Sequence, residues 1–262
     1  TLRRWYSGPV TVFSTRPESH QIGQLCADDP RLGITHQRLR EVKDSRHQAA
    51  YRTKALISKY YPYQHNIFLD ADTVVTNSLD ALIQAAIEVP VVVTNFLGFS
   101  TDQDPFKLNI GLWRAMIGAS GDTFDLERRL NHLLTQPIAA INTGVYGAHR
   151  NQRFAARWNE IVHFGQKMVI PDEIGLQVLL FEFEHLVLGQ EYNFHPSGIR
   201  LGIKPRIWHF AGNCHTSSTV TRKIWLPEYR RCEAENLASI QSWSRIESTK
   251  AIPRLKRQRD RV

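Results

Sequence analysis

A chain of 262 residues, 42% hydrophobic and 22% charged, suits one large α/β domain or two small ones and has the balance of a globular protein, not of a disordered one. Its formal net charge of +8 favours anionic partners such as nucleotides, phosphates, acidic glycans or a membrane surface. Three widely spaced cysteines, Cys26, Cys214 and Cys232, exclude a zinc ribbon or a disulfide framework and fit a reducing, cytoplasmic compartment; no apolar run reaches transmembrane length and no signal-peptide pattern opens the chain.

Residues 1–6 read as the last turns of a helix that leads through Gly8 and Pro9 into a strand over 9–14, so further chain is expected upstream of Thr1. The stretch 15–33 reads as loop, with Asp28 and Asp29 as turn formers. A helix is expected over 45–60, with Ala50, Leu56 and Ile57 on its apolar face. It carries Arg46 and Lys54, each either within reach of a diphosphate or simply part of a solvated face.

The next segment, Asn66-Ile67-Phe68-Leu69-Asp70-Ala71-Asp72-Thr73-Val74-Val75, combines a short buried strand with two carboxylates one residue apart. In extended backbone, residues i and i+2 point to the same side, so Asp70 and Asp72 can face one object. Adjacent carboxylates repel unless something neutralises them, and a hard divalent cation does so while leaving positions open for phosphate oxygens. The plain alternative is that the two acids open a turn.

A helix over 79–88 and a buried strand over 90–94 follow. Residues 95–136 read as irregular, with one short amphipathic helix at 126–134, and a stretch of that length between core strands shapes a specificity pocket or a lid. A strand over 138–147 is interrupted by Asn142-Thr143-Gly144, which suggests a bulge or a close approach of backbone to a ligand. Phe154, Trp158, Ile161 and Val162 then repeat at helical spacing. Pro171-Asp172-Glu173 opens another helix through Leu176, Leu179 and Leu180, where the macrodipole alone favours acids in the first turn. A short strand ends at His209, and Gly212 and His215 follow it at three-residue steps. Residues 225–246 read as a packing helix, and Arg254 to Arg261, with five basic residues against one acid, as a solvated end.

Taken in order, Lys54, Leu69-Asp70-Ala71-Asp72, Asn142-Thr143-Gly144 with Asp172-Glu173, and His209-Phe210-Ala211-Gly212 resemble the metal-dependent glycosyltransferases of the GT-A fold, closest to glycosyltransferase family 8, over residues 51–215. The resemblance implies an α/β, Rossmann-like mixed sheet flanked by helices, over residues 1–226, with 227–262 as a C-terminal helix and basic tail. It also implies that the first strand, whose end cradles the nucleotide base, has no counterpart before Thr1.

By the same resemblance Asp70, Asp72 and His209 hold Mn²⁺ or Mg²⁺, the imidazole nitrogen favouring Mn²⁺. Lys54, Asp70, Ala71, Asp72, Gly212 and His215 serve the diphosphate of a nucleotide sugar, UDP-linked. Asn142, Thr143 and Gly144 line the sugar, and Asn142, Asp172 and Glu173 form the catalytic side of a retaining transfer. The family has a lysine three residues after the late glycine; this chain has His215, a weaker and pH-dependent phosphate partner. The acceptor is a saccharide, lipid or protein, no nucleic acid is expected, and the basic tail allows peripheral membrane contact.

Two other readings use the same residues. Asp70-Ala71-Asp72-Thr73-Val74 also resembles the nucleophile motif of haloacid dehalogenase-like phosphatases, with Asp70 as nucleophile, Val91 to Asn95 as a second motif, and Lys107 and Gly121-Asp122 as weak third and fourth. A non-catalytic sugar-nucleotide binder is the third reading.

Overall fold

The computed structural model describes residues 1–15, 17–39, 46–99, 105–120, 125–196, 202–211 and 219–235. In chain order, a 3-10 turn (Leu2–Arg4) precedes β1 (Val10–Ser14), α1 (Pro17–Asp28), β2 (Ile34–Arg38) and α2 (Arg46–Ile57). Then come β3 (His65–Leu69), β4 (Thr73–Val75), α3 (Asp80–Glu88), β5 (Val91–Phe99), α4 (Pro105–Ser120) and α5 (Leu126–Thr135). The chain continues through β6 (Ala139–His149), α6 (Gln152–Phe164), α7 (Pro171–Leu179), β7 (His185–Leu188), β8 (Ile207–His209) and α8 (Thr219–Ala234). Two compact units result, one of residues 1–41, 74–76 and 210–262, the other of 42–73 and 77–209.

In the first unit the β-branched run of β1 pairs in parallel with β2, from Val10↔Ile34 to Ser14↔Arg38, and α1 is the crossover between them. The Arg3 guanidinium clasps the turn before β2, donating to the carbonyls of Leu32, Gly33 and Gly8, each at 2.6 Å. Gly33 takes a φ of +53°, where a side chain would be strained. Residues 15–33, expected as loop, therefore hold a helix. Ile34-Thr35-His36-Gln37-Arg38 has a single aliphatic residue in five, so its strand character comes from backbone pairing with β1 and not from alternation. Residues 10–38 thus form a parallel strand-helix-strand unit.

The second unit is built on a mixed four-stranded sheet of order β3-β6-β5-β7, with β6 antiparallel to both neighbours and β5 parallel to β7. Side chains alternate faces along a strand, and β6 shows what each face meets. Tyr146 packs its ring edge-on to Trp158 of α6 at 5.3 Å, whereas a Cβ on Gly147 would sit 3.0 Å from Ala86 of α3. Helices thus cover both faces, and the central strand is buried along most of its length. Fully burying side chains such as Trp158, Ile161, Leu82 and Val92 contributes roughly 1.5–3 kcal/mol each for the aliphatic ones.

Residues 95–136 are more regular than expected. β5 continues to Phe99, and α4 packs on α5, with Phe106, Ile110, Trp113 and Ile117 buried on one helix and Leu126, Leu130 and Leu133 on the other. Helix α4 escapes a periodicity reading because Leu108, Leu112 and Met116 are also apolar, yet exposed. A helix apolar on every side carries no stripe. No helix among the described residues is long and apolar enough to cross a membrane. Gly212, His215, Gly121, Asp122 and the basic tail lie outside the described residues, as does the side chain of Arg46.

Candidate metal centre

Strand β3 ends where its ladder ends. The Asp70 N–H donates to the Gly144 carbonyl at 2.8 Å, and the Thr73 N–H and hydroxyl then fold back onto the Asp70 carbonyl at 3.2 and 2.8 Å. Asp70 to Thr73 is therefore a tight turn. The acids do open a turn, and the turn, not strand alternation, aims their carboxylates.

His209 arrives from β8. Its N–H donates to the Phe194 carbonyl at 3.0 Å, which seats the strand end against residues 193–194. The ring is 2% exposed, with Nε2 at 3.3 Å from Asp72 Oδ1 and 3.6 Å from Asp70 Oδ2. One donor atom from each of the three residues lies within 4.8 Å of the others. Two carboxylate oxygens and one imidazole nitrogen form a donor set suited to a divalent first-row ion, so the residues present fit the implied metal.

A second layer of charge adjoins these donors. Lys54, on α2, places Nζ at 2.7 Å from Asp70 Oδ2, 3.2 Å from Thr143 Oγ1 and 3.7 Å from Asp172 Oδ2. The Thr143 hydroxyl donates a hydrogen bond to Asp172 Oδ2 at 2.5 Å, and the Asn142 amide donates to Glu173 Oε1 at 2.5 Å. Burial opposes the charge on Lys54, but the Asp172 and Asp70 carboxylates outweigh it and hold the ammonium above its usual range. Burial pushes Asp172 up despite Lys54 and Thr143. Burial, reinforced by the Asp172 charge, pushes Glu173 up to about 8. At Asp72 burial acts upward, yet the hydrogen bond and charge of His209, with Lys54, bring the carboxyl below its usual value. The same cluster reaches Tyr51, raised by burial and by Asp172 and Glu173.

Strand β6 accommodates this by breaking its register. Pairing with β5 jumps from Val93↔Tyr146 to Asn95↔Ile141, five steps on one strand against two on the other. Asn142, Thr143 and Gly144 fall in that irregularity. The close approach at Gly144 is not to a ligand, as expected, but to the His209 ring: a Cβ there would lie 2.1 Å from Cε1 and 2.6 Å from Nδ1.

Of the residues singled out from sequence, Lys54, Asp70, Asp72, Asn142, Thr143, Gly144, Asp172, Glu173 and His209 meet in one connected cluster. Ala71 sits in the turn between the two acids. Lys107 does not join: its ammonium donates to the Leu134 carbonyl at 3.1 Å on α5, and the lysine beside Asp70 is the upstream Lys54. That arrangement does not match the order required by a phosphatase. Sequence reasoning passed over Asn193, which is 0% exposed and bonded to His209, Thr94 and Asn142. No local motif marks it.

No family model matches the chain, and no curated protein matches it. Among solved structures it is similar to a glycosyltransferase involved in the glycosylation of the major capsid of PBCV-1, at 12% identity and a TM-score of 0.44, over 79% of this chain and 96% of that one. It is also similar to the apo structure of WbbM, a bifunctional glycosyltransferase, at 14% identity and a TM-score of 0.43, over 75% of this chain and 38% of that one.

Proposed function

We propose that this protein is a metal-dependent glycosyltransferase of the GT-A type, which takes a sugar from a nucleotide-diphosphate sugar, UDP-linked, and passes it with retention to a saccharide, lipid or protein acceptor. The observation that carries this reading is the meeting of the closely spaced acids Asp70 and Asp72 with His209, remote from them in the chain, with the donor atoms of the three within 4.8 Å of one another. A divalent ion bound there, Mn²⁺ in preference to Mg²⁺, supplies positive charge for the diphosphate as it leaves.

The chain's own groups do the rest. Lys54, kept cationic by its carboxylate neighbours, donates to a phosphate oxygen and stabilises the charge that builds on the leaving group. The Ala71 backbone, Gly212 and His215 complete the diphosphate side. Asn142 and Thr143 flank the sugar and hold Glu173 and Asp172 by their side chains, and the acid pair orients the sugar and acceptor hydroxyls. Gly144 contributes by leaving room for His209.

The test is calorimetric titration of a panel of nucleotide sugars with and without Mn²⁺, on the wild type and Asp72→Asn, followed by assay of sugar release. Binding of one donor that requires Mn²⁺ and is lost in the variant is the expected result. Donor binding indifferent to both metal and variant would overturn the reading, and binding without turnover over any acceptor panel would point to a non-catalytic binder.

A further inference from the structure

The His209 ring is held from behind by a set of hydrogen bonds whose proton positions can be worked out. Thr94, 0% exposed, donates its hydroxyl proton to the Val145 carbonyl at 2.8 Å. A hydroxyl has one proton, so towards Asn193 it can only accept. Asn193 Nδ2 is 3.0 Å from Thr94 Oγ1 and 3.2 Å from the Asn142 carbonyl oxygen, itself purely an acceptor. It also approaches Asn142 Oδ1 at 3.4 Å, an oxygen identified as such because it accepts the Gly144 N–H at 2.8 Å. Three acceptors therefore surround the Asn193 nitrogen, which fixes which end of the amide is NH₂.

The remaining end, Oδ1, is 2.8 Å from His209 Nδ1. A carbonyl oxygen accepts only, so His209 Nδ1 carries a proton. Nε2 is the other ring nitrogen, and it is the one that faces Asp72 and Asp70. Gly144 closes the third side of the ring, since any Cβ there would collide with Cε1.

We propose that Asn193 is a positioning residue: its amide, locked by Thr94 and Asn142, holds His209 as the Nδ1–H tautomer and turns the Nε2 lone pair towards a divalent cation shared with Asp70 and Asp72. The proposal rests on the metal reading above and adds the residue that makes the imidazole a ligand. A metal-bound imidazole needs its far nitrogen protonated and oriented, and partners in that place set metal affinity by about 10–100-fold. Neither tautomer nor aim follows from His209 itself, which the backbone bond to Phe194 places but does not rotate.

Two measurements test it. Long-range ¹H–¹⁵N correlation on wild-type protein labelled at histidine, saturated with diamagnetic Mg²⁺ and repeated without metal, reports which nitrogen of His209 holds the proton; the signal is assigned by its loss in His209→Gln. A proton on Nδ1 is expected, and a proton confined to Nε2 overturns the proposal even if no variant folds. Mn²⁺ titration of Asn193→Ala, with folding checked by thermal melting, is expected to show affinity weakened by about 10–100-fold. If Asn193→Ala binds Mn²⁺ like the wild type while Asp72→Asn loses it, the positioning role fails and the metal site stands. If Asp70→Asn and Asp72→Asn both bind Mn²⁺ unchanged, the metal site itself fails.

Discussion

Replacing Gly144 by alanine probes the candidate centre with a single methyl group. A Cβ at residue 144 would stand 2.1 Å from His209 Cε1, and ordinary contact begins at 3.4 Å, so the ring must retreat by about 1.3 Å, the difference between the two. It has little room to do so, because Nδ1 is tied to Asn193 at 2.8 Å and Phe96 packs against the ring with centroids 5.8 Å apart. Metal–ligand distances tolerate about 0.2 Å, so a displacement of that size removes the imidazole as a ligand. Mn²⁺ affinity, measured by calorimetry, should fall about 100-fold or more, equivalent to about 2.7 kcal/mol. The matched control is Gly147→Ala on the same strand. Its Cβ would meet Ala86 at 3.0 Å and Val92 at 3.4 Å, so it should cost about 1–3 kcal/mol of stability by overpacking and leave Mn²⁺ binding untouched. Folded Gly144→Ala protein that binds Mn²⁺ within about threefold of wild type would refute the reasoning, since the ring cannot both stay and accept the methyl.

Three further outcomes are expected. Lys54→Met leaves Asp70 and Asp172 without the ammonium that stands 2.7 and 3.7 Å from them, and should lower the urea stability of the metal-free protein by about 3–5 kcal/mol; an unchanged midpoint and slope would contradict it. Glu173, pushed up to about 8 in the fold by burial and Asp172 from an ordinary value of 4.5, keeps a proton across that window which the unfolded chain loses, so this group's contribution is full below 4.5 and stability falls as pH rises towards 8. Melting in chelator across that range should show the fall and Glu173→Gln should flatten it; equal slopes would sink the assignment. Mn²⁺ at about 100 times its dissociation constant should stabilise the protein by about 2.7 kcal/mol, an increment that EDTA abolishes and Asp72→Asn lacks.

How legible these features are in the sequence depends on how local their causes are. The run Ile67-Phe68-Leu69 and the acids behind it announce a buried strand and a charged turn within ten residues, and Phe154, Trp158 and Ile161 announce the α6 stripe. The elements that escape, α1, β2, α4 and β7, take their form from neighbours: β2 from β1, and β7, with Leu186 and Val187 exposed, from its parallel pairing with β5. Gly144 is legible as a place of close approach, but what approaches it is a ring 65 residues downstream in number, at His209. Asn193 is the extreme case. Its partner Thr94 is 99 residues away, and a buried asparagine in Glu191-Tyr192-Asn193-Phe194 looks like any turn residue until the tertiary structure shows that both polar atoms of its side chain are used.

The charge balance of the cluster argues for the ion independently of the distances. Four carboxyl groups, Asp70, Asp72, Asp172 and Glu173, gather around Lys54 and His209, in a chain whose overall charge is +8. Such a cluster by itself repels a diphosphate. Burial relieves one charge by keeping Glu173 protonated up to about pH 8, and Lys54 offsets a second, which leaves two negative charges when a cation takes the place of the proton that His209 Nε2 otherwise shares with Asp72. A divalent cation matches that remainder. Bound there, it would turn the face presented by Asp70 and Asp72 from one that excludes phosphate into one that binds it, so on the proposed reading nucleotide affinity and metal affinity should appear and vanish together. An anionic nucleotide that binds tightly in EDTA would show that this cluster is not where it binds.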